Sequence, residues 1–197
     1  DDGYVRTNIN QILETGRIST SKPNMQQIPA YEAVGTKYRN AFIAEPGWKY
    51  VDSDYSSQEL VIIAEISKDP VWLEALKKGE DLHSVTAALV YKKKWEDAAE
   101  EVCVYKTHKQ KCSCKGHKRL RTGIKSINFG LAYGMSEYKL AADMKISVKG
   151  AAALIKEYFN TFPEIGKKLT QLGWYAIKHG HIMTLAPYKR KRFYPLW

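Results

Sequence analysis

Hydrophobic and polar positions follow three regimes along the chain. Residues 1–47 are largely polar, with Gly3, Gly16, Gly35 and Gly47 marking turns and Pro23, Pro29 and Pro46 limiting helix, which predicts turns and short strands. The next segment, Trp48-Lys49-Tyr50-Val51-Asp52-Ser53-Asp54, is short, aromatic and β-branched, and predicts a strand. From Ser57 the period changes. Leu60, Ile63, Ala64 and Ser67 fall at helical spacing and Val61 and Ile62 are also apolar, predicting a largely buried helix directly after the strand. Further helices are predicted near Val71–Lys78 behind Pro70, from Asp81 or Leu82 to Tyr91, over about 120–134, from Ser136 to Met144, from Val148 to Phe159 after a turn at Ser147, and from Pro163 to about His179. Between them, 92–119 is charged, cysteine-bearing and poor in aliphatics, as expected of a surface excursion. Gly180 to Leu185 predicts a return to strand, cut short by Pro187. The coarse architecture is a half sheet, a helical insertion and a return to the sheet, with no internal repeat.

Composition narrows the class. A chain of 197 residues, 44% of them hydrophobic, builds one core or two lobes sharing a boundary and is not expected to be disordered. No apolar run approaches the roughly 18 residues of a membrane span, and no signal-like apolar region follows the polar start, so no membrane partner is expected. The three cysteines, at 103, 112 and 114, are odd in number and packed into one stretch, which argues against an extracellular disulfide framework. The formal net charge is +10. It is concentrated between Lys92 and Lys125 and again at Lys189-Arg190-Lys191-Arg192, which favours contact with phosphate. Basic ribosomal, chaperone and membrane-surface proteins carry similar charge.

Two constellations carry chemistry. Asp52 and Asp54 lie two apart on the predicted strand and so leave the same face, with Glu59 just inside the following helix. Carboxylates at the end of an apolar strand pack poorly and bind divalent metal well. The plainer reading is that Asp54 caps the helix while Glu59 sits in a first turn whose dipole favours acids. In the second constellation Arg121, Lys125, Phe129 and Tyr133, four apart, form one stripe on a helix: two cations suited to phosphate oxygens, then two rings suited to a sugar and base. Gly130 and Gly134 each weaken a helix interior by about 1 kcal/mol relative to alanine. Their expected compensation is room for something large against the backbone. An amphipathic helix with core aromatics explains the stripe's periodicity but not these glycines.

Asp54-Tyr55-Ser56-Ser57-Gln58-Glu59-Leu60 resembles the first palm motif of family A DNA polymerases, and Arg121-Thr122-Gly123-Ile124-Lys125-Ser126-Ile127-Asn128-Phe129-Gly130-Leu131-Ala132-Tyr133-Gly134 resembles that family's nucleotide-binding fingers helix. Thr15-Gly16-Arg17-Ile18-Ser19-Thr20 with Pro23-Asn24-Met25-Gln26-Gln27-Ile28-Pro29 is similar to its duplex-contacting segment. Gly79-Glu80-Asp81-Leu82-His83 and Tyr158-Phe159 with Pro163 match further landmarks. The likeness runs in order over nearly the whole chain.

The resemblance implies an α+β fold: part of a polymerase palm, an antiparallel sheet with helix, carrying a mainly helical fingers subdomain. Residues 1–67 would be the first part of the palm, 68–178 the fingers with an insertion at about 92–119, and 179–197 a return toward the palm. It implies transfer of a deoxynucleotide from a dNTP to a primer 3′-hydroxyl by a two-Mg²⁺ mechanism. Asp54 would be the carboxylate shared by both metals, and the Tyr55 backbone carbonyl would assist the one holding the triphosphate. Glu59 would exclude a 2′-hydroxyl and bond to Tyr133; His83, Arg121 and Lys125 would contact the triphosphate, with Phe129 stacked beside the incoming nucleotide. Arg17, Asn24, Gln26 and Gln27 would line the primer-template minor groove, with Arg190 and Arg192 as further DNA contacts. The expected setting is intracellular: cytoplasmic for a bacterial protein or a virus in a bacterial host, or an organelle.

The sequence also departs from the family pattern. Ser57 and Val61 stand where glutamine and arginine are usual, glutamine being displaced to Gln58, and Ala186-Pro187-Tyr188-Lys189-Arg190-Lys191-Arg192 replaces a glycine-arginine turn. The insertion holds Cys103, His108, Cys112, Cys114 and His117, four of which suffice for a tetrahedral Zn²⁺ site; a lysine-rich surface loop with incidental thiols is the other reading. No histidine-aspartate-glutamate motif follows the fingers helix, so the second catalytic aspartate is expected from a companion polypeptide or missing C-terminal segment, and a thumb segment likewise. Asp52 does not match that aspartate's place. The alternatives to a polymerase segment are a non-catalytic primer-template or nucleotide-binding module, and a structural subunit of a split polymerase.

Overall fold

The computed structural model describes residues 2–29, 33–101, 103–105 and 110–194. The α+β chain divides into two units, Asp1–Asp54 with Gly180–Trp197, and Tyr55–His179. In the first, the strands are short and polar. β1 (Asn8–Asn10) pairs antiparallel with β2 (Ser19–Ser21), Ile9 opposite Thr20. A 3-10 turn follows at Met25–Gln27, then helix α1 (Ala33–Asn40). β3 (His181–Met183) pairs antiparallel with β4 (Lys191–Phe193), Ile182 opposite Arg192.

The second unit is helical: α2 (Gln58–Ser67), α3 (Pro70–Lys77), α4 (Leu82–Tyr91), α5 (Lys93–Glu96), α6 (Lys115–Ala132), α7 (Glu137–Met144), α8 (Val148–Thr161) and α9 (Pro163–His179). Short polar side chains cap four of these eight. Asp69 accepts from the N–H groups of Val71 and Trp72 at 3.1 Å, with Pro70, which has no N–H to satisfy, as the first residue of α3. Asp81, Ser136 and Ser147 cap α4, α7 and α8 in the same way.

Among the described residues every buried hydrophobic side chain lies between Leu60 and Ile165. Helix α6 contributes Leu120, Ile124, Ile127 and Leu131 along one face and packs on α4 and α2. Trp72, Tyr158 and Phe162 form an aromatic cluster with ring centroids 5.9 Å (Trp72–Phe162) and 5.2 Å (Tyr158–Phe162) apart. Each such side chain contributes on the order of 2–3 kcal/mol by leaving water.

The structure corrects several expectations. Residues 48–54 form no strand: the segment is irregular and solvent-facing, with Trp48 76% and Val51 90% exposed. A strand needs a neighbour for its backbone groups, and no described residue supplies one, so β propensity is not realised. Helix α1 forms where prolines were expected to limit helix, since all three lie outside its eight residues. In α2 only Leu60, Ala64 and Ser67 are buried, while Val61 and Ile62 face outward. Helix α6 begins at Lys115, about a turn earlier than expected, and 92–119 is no simple surface excursion because Trp95, Cys114 and His117 are buried. Among the described residues no helix is long and apolar enough to cross a membrane.

Candidate functional site

Arg121, Lys125 and Phe129 of the basic-aromatic stripe lie on α6, Tyr133 is the residue just past its end, and the four differ in environment. Arg121 Nε and Nη2 donate to Asp81 Oδ2 and Oδ1, each at 2.7 Å, in a bidentate pair with both side chains largely buried. Asp81 also accepts from the Ser84 N–H at 2.9 Å, so one carboxylate starts α4 and anchors α6. Burial alone would push the Asp81 carboxyl up; Arg121 and Ser84 outweigh it and hold it below its ordinary value. The pair leaves the remaining guanidinium N–H groups for another anion. One turn on, Lys125 is exposed.

His83, in the first turn of α4, is 4% exposed. Its Nδ1 accepts from Asn128 Nδ2 at 3.0 Å, which puts the ring proton on Nε2, and its ring lies 5.6 Å from that of Phe129. Burial foremost, then the Arg121 charge, lowers its pKa to about 4, so it is a neutral donor at pH 7. Phe129 is half-buried and Tyr133 is 70% exposed. Phe129, Gly130, Tyr133, Met135 and Lys139 line a shallow depression. Glu59 sits exposed in the first turn of α2.

The glycines have other reasons than those expected. A Cβ on Gly130 would lie 2.4 Å from Met135 Cε, so the room at this position is filled by a neighbouring side chain. Gly134 lies beyond the helix with φ +76°, donating to the Leu131 carbonyl at 3.1 Å while Met135 N donates to that of Gly130 at 2.8 Å. These two bonds make the Schellman end of α6.

In the first unit, Asp54 is exposed on irregular backbone and makes no hydrogen bond or ion pair to another described residue. Because no strand forms, the shared face inferred for Asp52 and Asp54 does not exist. Nor does Asp54 cap α2, whose preceding residue is Ser57 at φ 54° with no side-chain cap bond. Asn24 Oδ1 accepts from Gln26 N at 3.1 Å and Thr20 Oγ1 at 3.0 Å, and Gln26 Nε2 donates to the Ile18 carbonyl at 3.2 Å. Arg17 and Gln27 are exposed. Arg190 lies over the Thr15-Gly16-Arg17 turn, donating to the Glu14 carbonyl at 3.3 Å, with Arg192 4.0 Å from the Glu14 carboxylate. This unit therefore joins the terminal basic ribbon to the predicted duplex-contacting segment.

The insertion forms a third constellation. The ligand atoms of Cys103, Cys112, Cys114 and His117 all lie within 4.8 Å of one another. His108, also a candidate ligand, lies outside the described residues. Sequence reasoning missed Asp81 as the Arg121 partner, Asn128 as the His83 partner and the Trp95 carbonyl as the His117 partner. All three link residues far apart in sequence, by 40, 45 and 22 positions, where no spacing signal exists; Asp81 and Asn128 each stood inside a quoted motif without a role.

The family model described as DNA polymerase family A matches residues 1–196. DNA polymerase I of Caldicellulosiruptor bescii is 37% identical over 179 residues, covering 91% of this chain and 19% of that protein. DNA polymerase I of Geobacillus stearothermophilus is 34% identical over 195 residues, covering 98% of this chain and 20% of that protein. The chain thus spans about a fifth of the length of these curated relatives. A solved structure of the POL domain of Pol1 from M. smegmatis, in complex with DNA primer-template and dNTP, superposes with a TM-score of 0.79 at 33% identity, over 98% of this chain and 31% of that one.

Proposed function

Because the chain belongs to DNA polymerase family A, we propose that it is the segment of a DNA-directed DNA polymerase that grips the incoming dNTP and carries the first metal-binding carboxylate. The observation that carries this reading is the α6 stripe: a clamped Arg121, an exposed Lys125 and two aromatic rings, with neutral His83 beside Phe129. Arg121 and Lys125 neutralise triphosphate charge, the first as a fork and the second as a point charge. Nε2–H of His83 donates to a phosphate oxygen. Phe129 and Tyr133 pack on the nucleotide, and Glu59 rejects a 2′-hydroxyl. Arg17, Asn24, Gln26, Gln27, Arg190 and Arg192 hold primer-template DNA. Groove acceptors common to all base pairs suit recognition of shape over sequence.

Residues 1–67 are then the first part of the palm, 68–178 the fingers, and 179–197 a return to the palm. The Asp54 carboxylate, exposed and unengaged by other described groups, fits a Mg²⁺ ion, which takes few protein oxygens and completes its shell with water and phosphate; the Tyr55 carbonyl would be a second protein oxygen for it. Two such ions would activate the primer 3′-hydroxyl and stabilise the leaving oxygens. The sequence contains no histidine-aspartate-glutamate run, and a further segment or companion polypeptide supplies the second aspartate.

Single-turnover dNTP incorporation by the complete protein is the test. Lys125→Ala is expected to slow the chemical step by about 10²-fold or more, the usual effect of removing one preorganised charge donor. Incorporation at the unmodified rate would sink the assignment.

A further inference from the structure

The insertion between α5 and α6 ends in a cluster the proposed nucleotide chemistry does not use. Three thiols and an imidazole converge from separate points: Cys103 and Cys112 from the connection, Cys114 immediately before α6, and His117 from its first turn. Cys114 and His117 are buried; Cys103 and Cys112 are half-buried. All four ligand atoms lie within 4.8 Å of one another, with Cys103 Sγ 3.5 Å and Cys112 Sγ 3.1 Å from His117 Nδ1. A tetrahedral Zn²⁺, with sulfur at about 2.3 Å and nitrogen at about 2.0–2.1 Å, separates its ligand atoms by roughly 3.5–3.8 Å. The cluster is therefore already near the size such an ion requires.

The surroundings set the imidazole for this role. His117 Nε2 lies 2.7 Å from the Trp95 carbonyl, which only accepts, so the ring proton is on Nε2 and the Nδ1 lone pair faces the sulfurs. The ring stacks on Trp95 with centroids 3.9 Å apart and planes 8° apart, and Trp95 meets Tyr105 edge-on at 4.9 Å. Both the carbonyl that fixes the tautomer and the rings that fix the plane come from outside α6. A chance meeting of thiols in a surface loop has no such second layer.

We propose that Cys103, Cys112, Cys114 and His117 bind one structural Zn²⁺. With four protein ligands the site is closed, which suits fold stabilisation and leaves no position for a reacting water. Three thiolates around a divalent ion leave one net negative charge at the N-terminus of α6, whose dipole favours it, in a stretch of sequence that carries Lys111, Lys115 and Lys118 beside the Glu100 carboxylate that accepts from the Lys115 N–H at 2.7 Å. The ion ties the connection to the first turn of α6, where Trp95 of α5 already holds His117, one turn before Arg121 on the same face, and so holds the helix that presents the basic stripe. The site stands on its own geometry, independent of any activity.

Elemental analysis of the purified chain, prepared without chelator and dialysed, is expected to give about one zinc per chain. Replacement by Co²⁺ should produce the intense thiolate-to-metal absorption and the visible bands of a tetrahedral site. Cys112→Ser and Cys114→Ser should each lower bound zinc by about tenfold or more. Cys112→His, which keeps four ligands, should retain zinc and shift the cobalt spectrum, separating ligand loss from general misfolding. Metal-free protein with helical content and melting temperature unchanged by chelator would overturn the proposal. So would iron in place of zinc, a disulfide between these cysteines in metal-free protein, or zinc that survives both serine variants. Primer extension is not a readout, so failure here leaves the polymerase reading untouched, and the reverse holds too.

Discussion

At the scale of single residues, His83 shows how position overrides intrinsic chemistry. A histidine free in solution takes up a proton at about pH 6.5. Here burial, reinforced by the Arg121 charge and only partly opposed by Asp81, moves that uptake to about pH 4. The unfolded chain therefore protonates first on acidification. Stability from this group is complete above about pH 6.5, falls as pH drops, and levels off near pH 4, a loss on the order of 3 kcal/mol. His83→Asn removes the titration while keeping a polar partner for Asn128. Denaturant unfolding of both proteins across this range should show their stability difference shrinking steadily as pH falls; a constant difference would refute a buried neutral His83. The residue types of the candidate site were legible from motif and spacing, but their states were not. Nothing local to Arg121 announces Asp81, forty residues earlier, and nothing local to His83 announces the amide that fixes its tautomer. Pair formation across such separations is decided by packing.

At the scale of elements, helices were legible and the strand at 48–54 was not. A helix satisfies its backbone within itself, so caps such as Asp69, Asp81 and Ser147 and an apolar stripe such as Leu120, Ile124, Ile127 and Leu131 announce it locally. A strand depends on a neighbour, and aromatic and β-branched residues cannot reveal whether one is there. The glycines of α6 make the same point about local reading. Gly134 was weighed as helix interior, yet it is the residue that ends the helix, at φ +76° with nothing within 4 Å of an added Cβ. Gly134→Ala should therefore destabilise by about 1 kcal/mol through backbone strain alone. Gly173, inside α9 at ordinary helical φ, also has open space at its Cβ position. Gly173→Ala should stabilise by about 0.5–1 kcal/mol. Thermal or denaturant unfolding of the two variants reads the sign directly; shifts in the same direction would contradict the assigned end of α6.

At the scale of the whole molecule, burial is unevenly shared between the two units. Every buried hydrophobic side chain among the described residues belongs to Tyr55–His179, whereas Asp1–Asp54 with Gly180–Trp197 holds two three-residue ribbons and leaves Ile12, Ile43 and Val51 largely exposed. Conformational entropy opposes order at roughly 1–2 kcal/mol per residue for the backbone alone, and burial of apolar surface is the main term set against it. The first unit has little of that term within itself, and a two-stranded ribbon is marginal without a packed face. Local opening should therefore cost far less in the first unit than in the second. Native-state hydrogen exchange on the isolated chain makes this measurable. Amides of α4, α6 and α8, whose inner faces hold Val85, Ile124 and Tyr158, are expected to exchange only through near-global unfolding. Those of β1, β2, β3 and β4 should exchange at least about 10²-fold faster, a gap of roughly 3 kcal/mol in opening free energy. Adding primer-template DNA separates two origins of that weakness. If the first unit holds duplex as proposed, its ribbons should gain protection on binding while the core amides of the second change little. Equal protection of both units in the free chain would show that the exposed apolar side chains of the first are held by something the burial pattern does not contain.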